Sequence, residues 1–302
     1  MLIRRLTAPA RLDLRVSLAP LVTSAQDPTI RLRDQGVVRT SRTPEGPATI
    51  ELLREHDGRD GVRARAWGPG ATWALAAADG LLGNHDEQAG FRPEMHPEVA
   101  RAVRRCPGLR LPRTGVVADV LVPTILAQRV TAGEAARSWT RIVRRLGEPA
   151  PGPHGLRLPP TATQLVATPD WELHRLGVER ARARAIRAAC RRIDRLQETV
   201  SLPHDEAMAR LTSVPGIGPW TAALVLRVAA GHADAVEVGD YHVKNHVAWC
   251  LAGEPRGSDE RMLELLAPFD GHRGRVVRLL LAAGARAPTF GPRARVVPVD
   301  HL

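Results

Sequence analysis

Residues 211–223 read LTSVPGIGPWTAA. The pattern predicts a helix ending near Val214, a tight turn through Pro215-Gly216-Ile217-Gly218, and a new helix starting at Pro219 or Trp220. Glycines at 216 and 218 let the backbone approach another molecule closely and adopt positive φ. Amides of a turn that runs into a helix N-terminus suit a phosphate. A tight helix–helix corner also needs glycine for its own geometry, so the turn alone fits either role. Twenty-two residues after Gly218, the run VEVGDYHV places Asp240 behind a glycine, where a carboxylate caps a helix. Cap and catalyst are compatible roles. A carboxylate held at a helix start sits in a defined place, from which it can stabilise positive charge or orient water.

Other reactive residues exclude more than they propose. His242, His246 and Cys250 recur at i, i+4, i+8 on one expected helix. Two of them could bind a metal, but three cannot converge on one ion, so no metal site is expected there. Cys106, Cys190 and Cys250 form no CxxC pair and no four-cysteine cluster, which argues against structural zinc and an iron–sulfur cluster and for a reducing compartment. Lys244 is the only lysine, so any Schiff-base chemistry has one side-chain candidate.

These residues need elements to position them. The first third reads as β-rich, with short runs at 11–18, 36–41, 47–53 and 61–67. Turn signals at 43–46 and 57–61 separate the later runs, and the close spacing suggests an antiparallel sheet. Helical pattern begins near Ala71. From about residue 95 helices dominate, at 94–105, 116–129, 132–146, 161–176, 179–198, 204–212, 219–231, 240–252, 258–267 and 272–285. Thr131 with Glu134 has capping-box spacing, and Thr168-Pro169-Asp170 reads as an N-cap before a proline. The 179–198 segment buries Ile186, Cys190, Ile193 and Leu196. Arginines 182, 184, 187, 191, 192 and 195 spread over the rest of its surface, as a nucleic-acid ridge or a solvated face. The fold class is α+β: an N-terminal antiparallel sheet with helices over 1–95, and a helical core over 96–302 that contains the 211–223 hairpin.

Of 302 residues, 44% are hydrophobic and 25% charged, as in soluble globular proteins, which excludes wholesale disorder, collagen and coiled coil. The formal charge of +11 favours a polyanionic partner, nucleic acid first. Arg11, Asp13 and Arg15 interrupt the first apolar stretch, and nowhere do about 18 apolar residues run together. The expectation is a cytoplasmic chain with no membrane partner.

VPGIGPWTAALVL followed by VEVGDYHVKNHV resembles the helix-hairpin-helix, Gly/Pro-rich, aspartate signature of the DNA glycosylase superfamily. Upstream, PTILAQRVTAGEAARSWTRIVRRLG is similar to the helix pair that precedes it in the alkylpurine (3-methyladenine) branch. RTPEGPATIEL and ARAWGPGATWAL resemble that branch's N-terminal domain, so the likeness spans about residues 10–290. The resemblance implies an all-helical core with a cleft behind an antiparallel sheet. It implies that Asp240 is the catalytic aspartate and that Gly216, Gly218 and Thr221 hold a DNA phosphate. It implies that carbonyls of Thr212, Val214 and Ile217 bind a monovalent cation, with no other cofactor. Trp220 and Tyr241 would line the base pocket, and Gln128-Arg129 would plug the DNA stack after the base leaves. Arg129 stands in place of an apolar wedge, and Leu224 and Leu281 stand where relatives carry aromatics. The lysine of bifunctional members is replaced by Trp220, and Lys244 lies a helical turn past Asp240.

The implied activity is hydrolysis of the N-glycosidic bond of alkylated purines in double-stranded DNA by a monomer, without strand cleavage. Two other functions fit the same motif: a non-catalytic DNA-binding damage sensor, and a glycosylase for oxidised or deaminated bases. Asp240 discriminates against the sensor, because a carboxylate aimed at an anionic ligand costs affinity.

Overall fold

The computed structural model describes residues 1–55 and 61–288. Its N-terminal part is a five-stranded antiparallel sheet of β1 (Leu2–Thr7), β2 (Ile30–Arg33), β3 (Gly36–Thr43), β4 (Gly46–Arg54) and β5 (Gly61–Trp67), in the order β1-β5-β4-β3-β2. The Thr43-Pro44-Glu45-Gly46 turn joins β3 to β4, with Thr43 opposite Gly46. The second expected turn falls largely on 56–60, outside the described residues. β5 alternates as a strand with one buried face should, sending Val62, Ala64 and Ala66 inward. Helices α1 (Leu14–Leu18), α2 (Ala71–Ala76) and α3 (Ala78–Leu81) join the sheet in one apolar core.

The 11–18 run is not a strand. The Asp13 carboxylate accepts from the Val16 amide at 2.9 Å and starts α1, which buries Leu14, Ser17 and Leu18 at i, i+3, i+4. An eight-residue alternating run satisfies both periods, and the cap decides between them. β1 exposes five of its six residues and therefore shows no alternation to read.

The remaining helices are α4 (Pro97–Arg105), α5 (Ala118–Leu126), α6 (Ala132–Leu146), α7 (Ala162–Ala167), α8 (Asp170–Arg175), α9 (Arg180–Cys190), α10 (Ile193–Gln197), α11 (His204–Thr212), α12 (Pro219–Val225), α13 (Val243–Ala252), α14 (Asp259–Leu266) and α15 (Arg273–Ala282). They form two apolar clusters. One gathers α5, α6, α9, α11 and α12. The other gathers α4, α13, α14 and α15. Two long segments break. Thr168 closes α7 and Pro169 opens α8, because proline cannot continue the first helix. Arg191 and Arg192 separate α9 from α10. Among the described residues, no helix is long and apolar enough to cross a membrane.

Charged side chains lock the modules. Asp119 at the start of α5 accepts from Arg39 at 2.6 Å and from Ser41, both on β3. Burial pushes its carboxyl upward, while Arg39 and the Ser41 hydroxyl pull the other way. Glu134 does not complete a capping box. Thr131 caps α6, and Glu134 turns inward to Arg182, whose guanidinium also donates to the Leu126 carbonyl at 2.9 Å. Arg182 is therefore a buried strut between α9, α6 and the end of α5, not a surface arginine. Arg182→Ala leaves Glu134 buried and unpaired and should destabilise the fold by about 3–5 kcal/mol, measurable as a lowered urea midpoint with little change in slope.

Candidate active site

The Gly/Pro turn sits where the sequence puts it. α11 ends at Thr212, Gly216 adopts φ +87°, and α12 starts at Pro219. Pro215, Gly216, Gly218 and Pro219 are exposed, while Val214 and Ile217 anchor the turn in the core. The first-turn amides of α12, on Trp220 and Thr221, have no intrahelical acceptor. The two glycines serve different ends. A Cβ on Gly216 would come within 2.6 Å of the Ala185 Cβ on α9, in a backbone region hostile to side chains. A Cβ on Gly218 would meet nothing within 4 Å, and its φ of −96° suits any residue.

Gln128 braces the turn from the end of α5. Its side-chain amide donates to the Gly216 carbonyl at 2.9 Å and to the Thr221 hydroxyl at 2.8 Å. Thr221 is buried, so it faces solvent with neither its hydroxyl nor its methyl. Arg129, next in sequence, is exposed and holds φ +57°, a conformation that costs a non-glycine residue energy. At the other side of the turn, the Val214 carbonyl accepts from the Ile217 amide at 3.0 Å. Among the described residues, no donor is recorded on the carbonyls of Thr212 and Ile217.

Asp240 is half-buried and closely held. Its Oδ2 accepts from the Trp220 indole N–H at 2.8 Å. Its Oδ1 accepts from the amides of His242 at 2.7 Å and Val243 at 2.9 Å, at the start of α13. Three N–H donors on one carboxyl suit the anion. The loop that delivers Asp240 is itself fixed. The Asp240 amide donates to the Glu237 carbonyl at 3.1 Å, and the Gly239 amide to Asp259 at 3.2 Å. Glu237 forms a buried ion pair with Arg227, inside the π-helical turn Leu226–Ala230 that continues α12. Lys244 points to Asp259, with Nζ 3.6 Å from its carboxylate.

Around this carboxylate the expected pocket residues divide. Trp220 touches Asp240, and Leu224 lies one turn further along α12 on the same face. Tyr241 is 78% exposed and stands edge-on to His242, with ring centroids 4.9 Å apart. His242 in turn stacks on His246 at 6.1 Å. Burial pushes His246 below its ordinary value, Arg286 and His242 act in the same direction, and Asp240 opposes them. Its Nδ1 accepts from the Ala287 amide at 2.9 Å. Leu281 on α15 packs into the second helical cluster together with Val236 and Val238 of the Asp240 loop. A cavity of about 480 Å³ lies elsewhere, between the β3–β4 turn and the helices, walled by Asp119, Val122, Trp139, Pro160 and Cys190. Among the described residues, no group of three His, Cys, Asp or Glu side chains could hold a metal.

Sequence reasoning missed Arg227, Glu237 and Asp259 as supports of the site. Arg227 had a readable signal, since a charge inside LVLRVAA must be paired if that segment is buried. Glu237, between Val236 and Val238, carries a weaker form of the same mark, and Asp259 sits in a polar run and carries none.

Residues 122–269 match the HhH-GPD superfamily of base excision DNA repair proteins. Over 146 residues the chain is 31% identical to a Mycobacterium tuberculosis protein described as a probable bifunctional transcriptional activator/DNA repair enzyme AlkA, a match covering 48% of this chain and 29% of that one. The chain thus spans less than a third of that relative. Its fold is similar to 3-methyladenine DNA-glycosylase from Archaeoglobus fulgidus, with 20% identity, a TM-score of 0.77, and 93% and 98% of the two chains covered. It is also similar to Clostridium acetobutylicum 8-oxoguanine glycosylase/lyase in complex with double-stranded DNA, with 15% identity, a TM-score of 0.71, and 93% and 97% covered. At these identities the structural likeness is one of fold.

The two glycines should respond differently to substitution. Gly216→Val is expected to lower stability by about 1–3 kcal/mol through overlap with Ala185 and strained backbone. Gly218→Val should stay within about 0.5 kcal/mol of the parent, as an exposed site without contacts does. Thermal melts of both variants check this.

Proposed function

We propose that this chain, whose residues 122–269 form an HhH-GPD superfamily base excision DNA repair domain, is a monofunctional DNA glycosylase that releases alkylated purines such as 3-methyladenine. The observation that carries the reading is the Asp240 carboxylate, fixed by the Trp220 indole at the start of the helix that follows the open Gly/Pro turn. A non-catalytic DNA binder would gain the helix cap but would lose affinity to an anion held beside its phosphate grip.

A base inside a duplex is out of reach, so the nucleotide must be flipped out, at a cost of a few kcal/mol by general estimates. The amides of Gly216, Gly218 and Thr221 would hold a phosphate of the damaged strand during this step. Thr221 contributes only its backbone, since its hydroxyl is bonded to Gln128. Thr212, Val214 and Ile217 offer carbonyl oxygens and no carboxylate, a set that fits a monovalent cation, and such an ion would add positive charge beside the phosphate. Gln128 is committed to the turn, so Arg129 is the residue free to enter the stack.

Breaking the C1′–N bond builds positive charge on the sugar. Asp240 stabilises that charge and can orient the attacking water. An alkylated purine already carries positive charge and leaves readily, so one carboxylate suffices. The Trp220 edge is spent on Asp240, which leaves its ring face to stack on the cationic base, worth about 0.5–2 kcal/mol. Tyr241, exposed beside Asp240, would close over the base from the rim.

Asp240→Asn should retain DNA binding and lose base release by about 10²–10³-fold, as when one preorganised electrostatic group is removed. Release of free 3-methyladenine from defined duplexes measures it, and near-normal excision by the variant would sink the assignment. Strand scission should not occur. The turn has Trp220 where a nucleophilic amine would stand, and Lys244 is held by Asp259. Borohydride should trap no covalent complex, and breaks should appear only after alkali. A trapped adduct that disappears in Lys244→Ala would make the protein a lyase and favour the oxidised-base reading.

A further inference from the structure

Two side chains on one face of α12 and its π-helical continuation reach the loop that delivers Asp240. Trp220 and Arg227 stand two helical turns apart, with Leu224 between them on the same stripe. Trp220 donates to the Asp240 carboxylate at 2.8 Å, and Arg227 pairs with Glu237, earlier in the same loop. The two contacts differ in depth. Trp220 and Asp240 are half-buried, whereas Arg227 and Glu237 are 4% and 3% exposed.

The buried pair has no second anchor. The Arg227 Nε and the Glu237 Oε2 are buried and make no hydrogen bond among the described residues. Arg278, bonded to the Val16 carbonyl at 2.6 Å, adds a second guanidinium beside the one carboxylate. Withdrawing Glu237 would leave Arg227 buried and unpaired near another cation, which is costly. Glu237 is therefore a fixed point of the backbone. From it to Asp240 the chain makes one turn. The Glu237 carbonyl accepts from the Asp240 amide at 3.1 Å, and the Val236 carbonyl from the Val238 amide at 2.9 Å. Gly239 adopts φ +92°, and a Cβ there would meet nothing within 4 Å. Its amide reaches Asp259 at 3.2 Å. Single hydrogen bonds hold this joint, not packing. The α13 amides fix the carboxylate on its own helix, but they do not fix that helix against the turn. The links from α12 to the loop do so, and the Arg227 link is the one closed to solvent.

We propose that Arg227 and Glu237 are positioning residues for Asp240: the buried pair sets the carboxylate's place against the Gly216–Gly218 turn, so that base release depends on the pair and DNA binding does not. Neither side chain reaches the surface, so neither touches the substrate. The inference rests on Asp240's being the group that acts on the base.

The test removes both charges together in Arg227→Met/Glu237→Met. Replacing a buried pair by apolar residues of similar volume is often neutral for stability, so this variant should melt close to the parent. Its single-turnover release of 3-methyladenine should fall by roughly 10²-fold, the general cost of a misplacement of about 1 Å, while duplex affinity stays parental. Without DNA, the Trp220 indole N–H, assigned by NMR from its loss in Trp220→Phe, should exchange with water faster than in the parent. Arg227→Lys keeps the charge without the fork. It should show the same changes in smaller measure, and it carries the test if the double variant does not fold. Arg39→Met/Asp119→Leu removes another buried pair, between β3 and α5, and should change neither release nor exchange. Parental release in a folded variant, a loss of release matched by a loss of affinity, parental indole exchange, or an equal loss in the β3–α5 variant would overturn the role. Indole exchange is read without base release. A parent that releases no base, but whose indole loosens in the double variant, would fail as a glycosylase and keep the link. Near-normal release by Asp240→Asn would instead remove the catalyst that the pair positions.

Discussion

One hydrogen bond joins the two halves of the candidate site. The Trp220 indole and the Asp240 carboxylate stand 20 residues apart, each in the first turn of its own helix or just before it. Helix starts present unpaired amides, and those of α13 take up one oxygen of Asp240 while Trp220 takes the other. The turn that would hold DNA and the group that would act on it are thereby fixed in one frame. Loss of the indole N–H would leave the carboxylate on α13 but free it from the turn.

Holding that frame takes buried charge. Arg227 interrupts an apolar helix and is withdrawn from water together with Glu237. The guanidinium of Arg278 lies near both, pushed down to about 10 by burial with Arg227 adding to the effect. A buried ion pair adds little net stability against an apolar alternative, but removing one partner is costly. The pair works as a latch. It ties the π-helical turn after α12 to the loop that ends in Asp240. π-Helical turns inside α-helices recur at functional sites, and here the turn supplies the arginine of the latch.

Legibility in the sequence followed locality. α6, α11 and the Gly/Pro turn are set by residues within a few positions of each other, and the Thr131 cap, Pro203, Pro219 and the glycines mark their limits. The 11–18 run is ambiguous because eight residues fit both a period of 2 and a helical face, and Asp13 settles it only through a bond to Val16. Nothing local in the sequence marks Arg182 as buried, because an arginine normally lies at the surface. Its burial depends on Glu134, 48 residues earlier, and on the end of α5. The pairing of Gln128 with the turn was equally hidden, since no local pattern shows that a glutamine will spend its amide on a carbonyl 88 residues away. Asp240 could be read as a cap and as a catalyst, and the structure displays the cap.

The two glycines of the turn separate internal from external demands. Gly216 is required by the fold, because α9 fills the space a side chain would need and the backbone is left-handed. Gly218 meets no such demand: its backbone is extended, and the space where a Cβ would stand is open. A side chain there would not disturb the turn, but it would project from an exposed corner beside amides that lack acceptors. A ligand reaching that corner would meet those amides without displacing a side chain, and an anionic oxygen is the group that unpaired amides at a helix start attract.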